Sequence, residues 1–487
     1  LKTWIKLSRA AACAAAIMLA APVAGTAMAA APVAAEVASE AAEAMSEAAS
    51  AVEAAVAPEA EAAAEAPVLL GHQAALELDG SASAFVFLST ALVLMMTLPG
   101  LALFYGGMVR KKNVIATVTQ SVAVSCVAGL LWLVVGYSIA FGKVSAPLFG
   151  QSADFMNQFI GGFDVLMLKG VTSSTAFSAA PYLPEMLWIA YQMTFAIITP
   201  ALITGAFAER IKLSGLLLFM ALWSVFVYAP ICHQVWGGGY LGTMGVLDFA
   251  GGAVVHVNSG VAGLVAALFL GRRKGYGTEE MPPNNLVFVM IGASLLFVGW
   301  IGFNAGSAWT PDGIAAAALL NTLVAAFASG ITWKIVEWIV RRKPSLLGIL
   351  SGIVAGLVAI TPAAGFVNPM GALFIGLIAG PVCYFSAVWV KKILGYDNSL
   401  DAFGIHGAGG FLGAVLTAVF ADASINSLAE GATVGKQLAG LGFTIVWSAV
   451  GTLIILVICK FTTGLRVSEA DEEAGLNSSQ HDEALHH

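Results

Sequence analysis

From about residue 84 to about residue 461, apolar runs of roughly twenty residues follow one another, broken by short polar or basic stretches. A helix of that length crosses the hydrocarbon core of a bilayer. The pattern predicts eleven spans, at about 84–108, 114–141, 185–208, 216–232, 253–270, 286–303, 314–340, 346–360, 371–390, 403–420 and 438–461. Basic clusters mark alternate connections: Arg110/Lys111/Lys112, Arg210/Lys212, Arg272/Arg273/Lys274, Arg341/Arg342/Lys343, Lys391/Lys392 and Arg466. Such an excess of Lys and Arg assigns those loops to the cytoplasm. The opposite loops hold only Lys143, Lys169 and Lys436. An odd number of spans then puts the amino end outside and the carboxyl end inside. The longest connection, residues 142–184, reads as a vestibule-facing loop on the outer side.

Ahead of the spans the pattern changes. Lys2, Lys6 and Arg9, an apolar run over 10–24 and Ala27-Met28-Ala29 form an export signal, so residues 1–29 are expected to be removed. Residues 30–83 form an Ala/Glu-rich periplasmic leader, with Glu36, Glu40, Glu43 and Glu47 at helical spacing and no base to pair them. Composition agrees with a membrane protein: 59% of residues are hydrophobic, 10% are charged, and the mean hydropathy is +0.87. A soluble domain is excluded. The net charge of −7 comes largely from the leader and the tail after Arg466, which is no footprint for nucleic acid. Cys13, Cys126, Cys232, Cys383 and Cys459 lack metal-ligand spacing, and no disulfide, metal or other cofactor is expected.

A repeat lies within the spans. His256-x-x-x-Gly260-x-x-Gly263 in the fifth recurs as His406-x-x-x-Gly410-x-x-Gly413 in the tenth, preceded by Asp248 and Asp401 respectively. Five spans separate the copies, so they have opposite topology, an arrangement that gathers functional groups near the bilayer midplane. Ionisable groups inside a membrane are functional candidates by default. Paired neutral imidazoles suit a path for a small molecule that both donates and accepts hydrogen bonds; haem ligation is the rival role. Phe195, Trp236 and Phe303 form an aromatic set, either an interfacial belt or faces for a cation, with Ser307 as a nearby acceptor. Asp248 reads first as a helix cap, and His233, at a span end, as interfacial.

Four motifs are more specific: Pro99-Gly100-Leu101-Ala102-Leu103-Phe104-Tyr105-Gly106-Gly107, Val235-Trp236-Gly237-Gly238-Gly239, Asp248-Phe249-Ala250-Gly251-Gly252 through His256, and Gly299-Trp300-Ile301-Gly302-Phe303-Asn304-Ala305-Gly306-Ser307. With Asp401 through Gly407, they make the chain resemble the Amt/MEP/Rh ammonium transporters, the bacterial Amt branch above all. The resemblance implies an all-α polytopic membrane protein, with eleven helices in a five-plus-five inverted repeat and an added last helix. It also implies a homotrimer in the inner membrane, with one pore per subunit. By motif, Trp236, Phe195 and Ser307 match an outer ammonium site supported by the buried acid Asp248. Phe195 and Phe303 match a phenyl gate, His256 and His406 a twin-histidine pore, and Trp300 a pore wall. The implied activity is transport of ammonium or ammonia, with methylammonium as an analogue, and no catalysis. Residues 84–463 would form the transporter and 464–487 a cytoplasmic regulatory tail that receives a P-II signalling protein. Without the family, that acidic tail reads as solvated disorder. Tyr191-Gln192-Met193-Thr194-Phe195 departs from the family pattern at Met193 and Thr194, where smaller residues are common.

Overall fold

The computed structural model describes residues 72–74, 77–148 and 150–485. The expected export signal and most of the leader lie outside the described residues. Helices α1 (Gly80–Met108), α2 (Lys111–Phe141), α3 (Glu185–Phe207), α4 (Leu213–Thr243), α5 (Gly252–Leu270), α6 (Leu286–Ala308), α7 (Gly313–Arg341), α8 (Leu346–Ile360), α9 (Pro369–Leu394), α10 (Phe403–Phe420) and α11 (Val434–Thr462) fall on the eleven predicted spans. Ten are long and apolar enough to cross a membrane, and α8, with 15 residues, is the shorter one. At 1.5 Å per residue it rises only about 22 Å. The chain leaves it through a turn at Thr361-Pro362 whose residues are fully buried among other helices, where irregular backbone at membrane depth is tolerated. Thr361 is thereby delivered to the interior.

Helix ends follow their caps. Asp79 accepts the backbone N–H groups of Ser81 and Ala82, so α1 starts four residues before the expected position. The fourth helix runs past Cys232, putting Trp236, expected beyond the span, in a helical turn that the Gly237 N–H closes on Cys232 and His233 carbonyls. One departure from an all-α chain is a short antiparallel pair, β1 (His72–Ala74) with β2 (Thr175–Phe177), joining the leader to the long 142–184 connection.

The repeat has a physical basis. Helices α5 and α10 cross each other, as do α1 and α6. At the crossing Gly260 lies against the backbone of Gly407, where a β-carbon would collide, and Gly410 lies against the Gly252 carbonyl and the β-carbon of His256. Each glycine of the H-x-x-x-G motif thus makes room for the segment carrying the other histidine. Gly263 packs on Ala206 at the end of α3 and Gly413 on Ala359 at the end of α8, again five helices apart. Both histidines sit in wider, π-type turns, Gly252–Val257 and Phe403–Gly407, local distortions frequent at functional sites. The two acids do not correspond. Asp248 caps α5, whereas Asp401 pairs with Lys391 at 2.6 Å, and Asn398 instead accepts the Ala402 N–H.

The carboxyl tail is ordered against the helices. In α12 (Glu469–Ala474) Glu472 accepts the Lys274 N–H and pairs with Arg466 at 2.8 Å. In α13 (Leu476–His481) the Asn477 amide accepts from the Ala116 N–H and donates to the Lys111 carbonyl. Leu476 and Val467 pack on Ala116. Solvated disorder, the composition-based reading of this segment, is replaced by a docked strap because its few apolar and amide groups meet the start of α2.

Candidate functional site

Asp248 precedes the first turn of α5 and its carboxylate accepts four backbone N–H groups, from Gly251, Gly252, Ala253 and Val254. Burial raises its affinity for a proton while the four donors oppose that. Each oxygen already faces two N–H hydrogens, so an added proton would displace a bond, and the geometry fits the ionised form. The Asp248 carbonyl accepts the indole N–H of Trp236 at 2.8 Å, which locks that ring beside the helix start.

A row of rings leads inward from Trp236. Phe195 meets it edge-on, with centroids 5.8 Å apart, and leans over Phe303 at 4.3 Å. Both phenyls are buried. The next ring is His256, 6.0 Å from Phe303 and 5.5 Å from Trp300, followed by His406 at 5.3 Å. Ser307, one turn beyond Phe303, donates to the Phe303 carbonyl at 2.9 Å and lies 3.3 Å from the Tyr191 hydroxyl. All eight residues singled out from the sequence therefore belong to one continuous assembly.

The histidines approach through their Nδ1 atoms, 3.3 Å apart. Thr361 decides which nitrogen carries which proton. Its hydroxyl donates to the Leu357 carbonyl at 2.7 Å and accepts the Trp300 indole N–H at 2.9 Å. With its one hydrogen committed, it can only accept from His256 Nε2, 3.3 Å away. His256 is then protonated on Nε2, its Nδ1 accepts from His406 Nδ1–H, and His406 Nε2 keeps a free lone pair. An enclosed cavity lies along the pair, bounded otherwise by side chains such as Met96, Leu101 and Ile198. Such a space offers few polar contacts besides the imidazoles and the Trp300 edge.

The profile of the Ammonium Transporter Family matches residues 84–485. Over 414 residues the sequence is 47% identical to the ammonium transporter of Aquifex aeolicus (strain VF5), covering 84% of this chain and 93% of that one. Over 409 residues it is 46% identical to the ammonium transporter of Bacillus subtilis (strain 168), covering 82% and 96%. The chain belongs to the ammonium transporter family. Its fold matches the crystal structure of Saccharomyces cerevisiae Mep2 with a TM-score of 0.72 at 35% identity, over 80% of this chain and 88% of that. A sensor Amt protein matches with a TM-score of 0.74 at 26% identity, over 82% and 98%.

Within this ammonium transporter fold, some contributors escaped sequence reasoning. Thr361 is an unremarkable hydroxyl at the end of an apolar helix, and only the following Pro362 signals a turn there. Tyr191, read only as part of a motif, spans from Phe195 to Ser307. His233, expected at the interface, is buried, its ring nitrogens facing the carbonyls of Ala140 at 3.0 Å and Asn157 at 2.7 Å. On the basic face, Glu209 pairs with Arg110 and Arg273, and Asp397 pairs with Arg273. Burial pushes both carboxyls up, but the neighbouring guanidinium groups hold them below their ordinary values. Burial pulls Arg210 down to about 10, and its guanidinium is bonded to the Ala206, Gly271 and Asp397 carbonyls. Arg110, Arg210 and Arg273 were read from the sequence only as topology markers, and Glu209 and Asp397 were not singled out.

Proposed function

We propose that this member of the ammonium transporter family collects ammonium at the periplasmic end, removes its proton, and passes ammonia along His256 and His406 to the cytoplasm. One observation carries the reading: two imidazoles joined at 3.3 Å along an apolar cavity, directly below a buried phenyl pair. Moving an intact cation through such surroundings forfeits hydration worth tens of kcal/mol in an idealised low-dielectric medium, and still several kcal/mol after relaxation. Deprotonating an acid a few units above neutral costs on the order of 3–5 kcal/mol. Ammonia is therefore the cheaper passenger, and potassium, which has no proton to lose, stays behind.

Each residue then has a task. Trp236 and Phe195 offer ring faces to the cation, worth about 0.5–2 kcal/mol each, and Ser307 accepts one of its N–H groups. Asp248 supports this site through the backbone and through Trp236. Phe195 and Phe303 exclude water. The lone pair of His406 Nε2 accepts an N–H of ammonia, and Trp300 walls the path.

The relatives named as transporters support transport over catalysis. The wider reading includes a bacterial inner-membrane homotrimer, an exported amino end freed of residues 1–29, and a leader over 30–83. The transporter proper is 84–463, with a cytoplasmic tail over 464–487 that receives a P-II protein. The alternation of basic loops supports the orientation. The test is simultaneous measurement of current and internal pH in proteoliposomes. Ammonium is expected to alkalinise the lumen if ammonia crosses alone, or to drive current if the proton follows. Neither response, or an equal response to potassium, overturns the proposal.

A further inference from the structure

We infer that Trp309 is a positioning residue for the outer ammonium site, acting through Tyr191; this rests on the transport reading above. Trp309 has φ of 66° and ψ of −20°, a left-handed conformation that is costly for a bulky residue and free for glycine. Its N–H donates to the Gly306 carbonyl at 3.0 Å, closing the turn Ala305–Ala308 that carries Ser307. Glycine would close that turn with less strain, but it lacks a ring. The ring lies flat on Trp188 with centroids 3.8 Å apart and planes at 20°, and stands edge-on to Tyr191 at 5.0 Å.

Backbone strain maintained at a site is a pointer to function when the surroundings over-determine it, and here the stack does so. Trp188 is backed by Phe177 at 4.7 Å and Phe141 at 5.7 Å. Its buried indole N–H has no hydrogen-bond partner among the described residues, so packing rather than a hydrogen bond holds the ring. Tyr191 sits between this wall and the site. Its ring meets Phe195 edge-on at 5.1 Å, and its hydroxyl bonds the Gly302 carbonyl at 2.8 Å and reaches Ser307. Trp309 thus sets Phe195 and Ser307 together: the first through the Tyr191 ring, the second through the turn and the Tyr191 hydroxyl.

The experiment compares wild type, W309G, W309F and W188L in proteoliposomes with ammonium and methylammonium. W309G relieves the left-handed strain but loses the Trp188 stack, so its unfolding temperature should fall below that of wild type, by less than an equal loss of packing without relief of strain would cause. Its half-saturating ammonium concentration should nevertheless rise about 3- to 10-fold, the scale of a lost aromatic pair, with the limiting rate less affected and the ammonium-to-methylammonium preference altered. W309F, which keeps a ring, should retain most of the wild-type affinity. W188L leaves residue 309 intact and should reproduce the W309G shift, which keeps the test open if W309G fails to assemble. Wild-type affinity and preference in W309G or in W188L overturn the inference, as does a W309F loss equal to that of W309G. Absence of ammonium transport in wild type is a different failure, that of the transport reading itself.

Discussion

At the scale of single residues, the hydroxyl of Thr361 has a disproportionate role. It lies within hydrogen-bond distance of both the Trp300 indole N–H and His256 Nε2, and its own hydrogen is spent on Leu357. Thr361→Val keeps the shape and removes the acceptor, leaving two buried N–H groups without a partner at a cost of about 1–3 kcal/mol each. A lowered unfolding temperature in detergent, restored by Thr361→Ser, is the expected outcome. His406→Ala should act differently. A shortened side chain beside the Gly-rich crossing should leave the protein assembled, but proton-coupled current should fall and potassium should enter with water through the widened path. Ammonium current with potassium excluded as before would remove the histidines from the mechanism.

At the scale of elements, the crossing of α5 and α10 depends on glycine more strictly than a general preference for small residues in membrane helices implies. Gly260 faces the backbone of Gly407, which has no flexible end to swing aside. Gly260→Ala should therefore cost about 1–3 kcal/mol by overpacking and push the two histidines apart. At Gly442 on α11 a β-carbon would stand in open space, with no heavy atom within 4 Å. There the same substitution should gain about 0.5–1 kcal/mol from the helix propensity of alanine. Thermal unfolding of the two variants side by side measures the difference, and equal effects would refute the close crossing.

Across the whole molecule, the basic face is joined by charges buried between loops. Glu209 bridges Arg110 and Arg273, and Arg273 continues to Asp397. Nearby, Arg466 ties Glu472 of the tail to the Leu270 and Arg272 carbonyls. Because Glu209 and Asp397 have depressed folded values, their contribution is complete above the unfolded carboxyl value near about 4. It disappears as pH falls through the folded values. Stability should hold from near neutral pH down to about 5 and drop below about 4. Glu209→Ala removes the carboxylate partner of Arg110 and one of the two that hold Arg273, beside a fully buried position, and should cost about 3–5 kcal/mol, while flattening part of the acid limb. An unchanged acid profile in that variant would assign the sensitivity elsewhere.

The number and order of the spans, the alternation of basic loops, the fivefold offset between the histidine motifs and the candidate ring set were all legible in the chain. Helix length, loop charge and the cost of an ionisable group in lipid are properties of a local stretch, readable without knowing what lies beside it. The helix cap at Asp248 belongs to the same class, whereas the cap at Asp79, which starts α1 four residues before the expected position, was not read from the chain. What only the tertiary structure decided is how those stretches meet. The Nδ1–Nδ1 contact, the reach of Thr361 from a short α8, the left-handed Trp309 on Trp188 and the burial of His233 all depend on the register of helices far apart in sequence. That register is determined by close packing at the glycine crossings, where a single methyl group would change it, and no window along the chain contains both sides of such a contact.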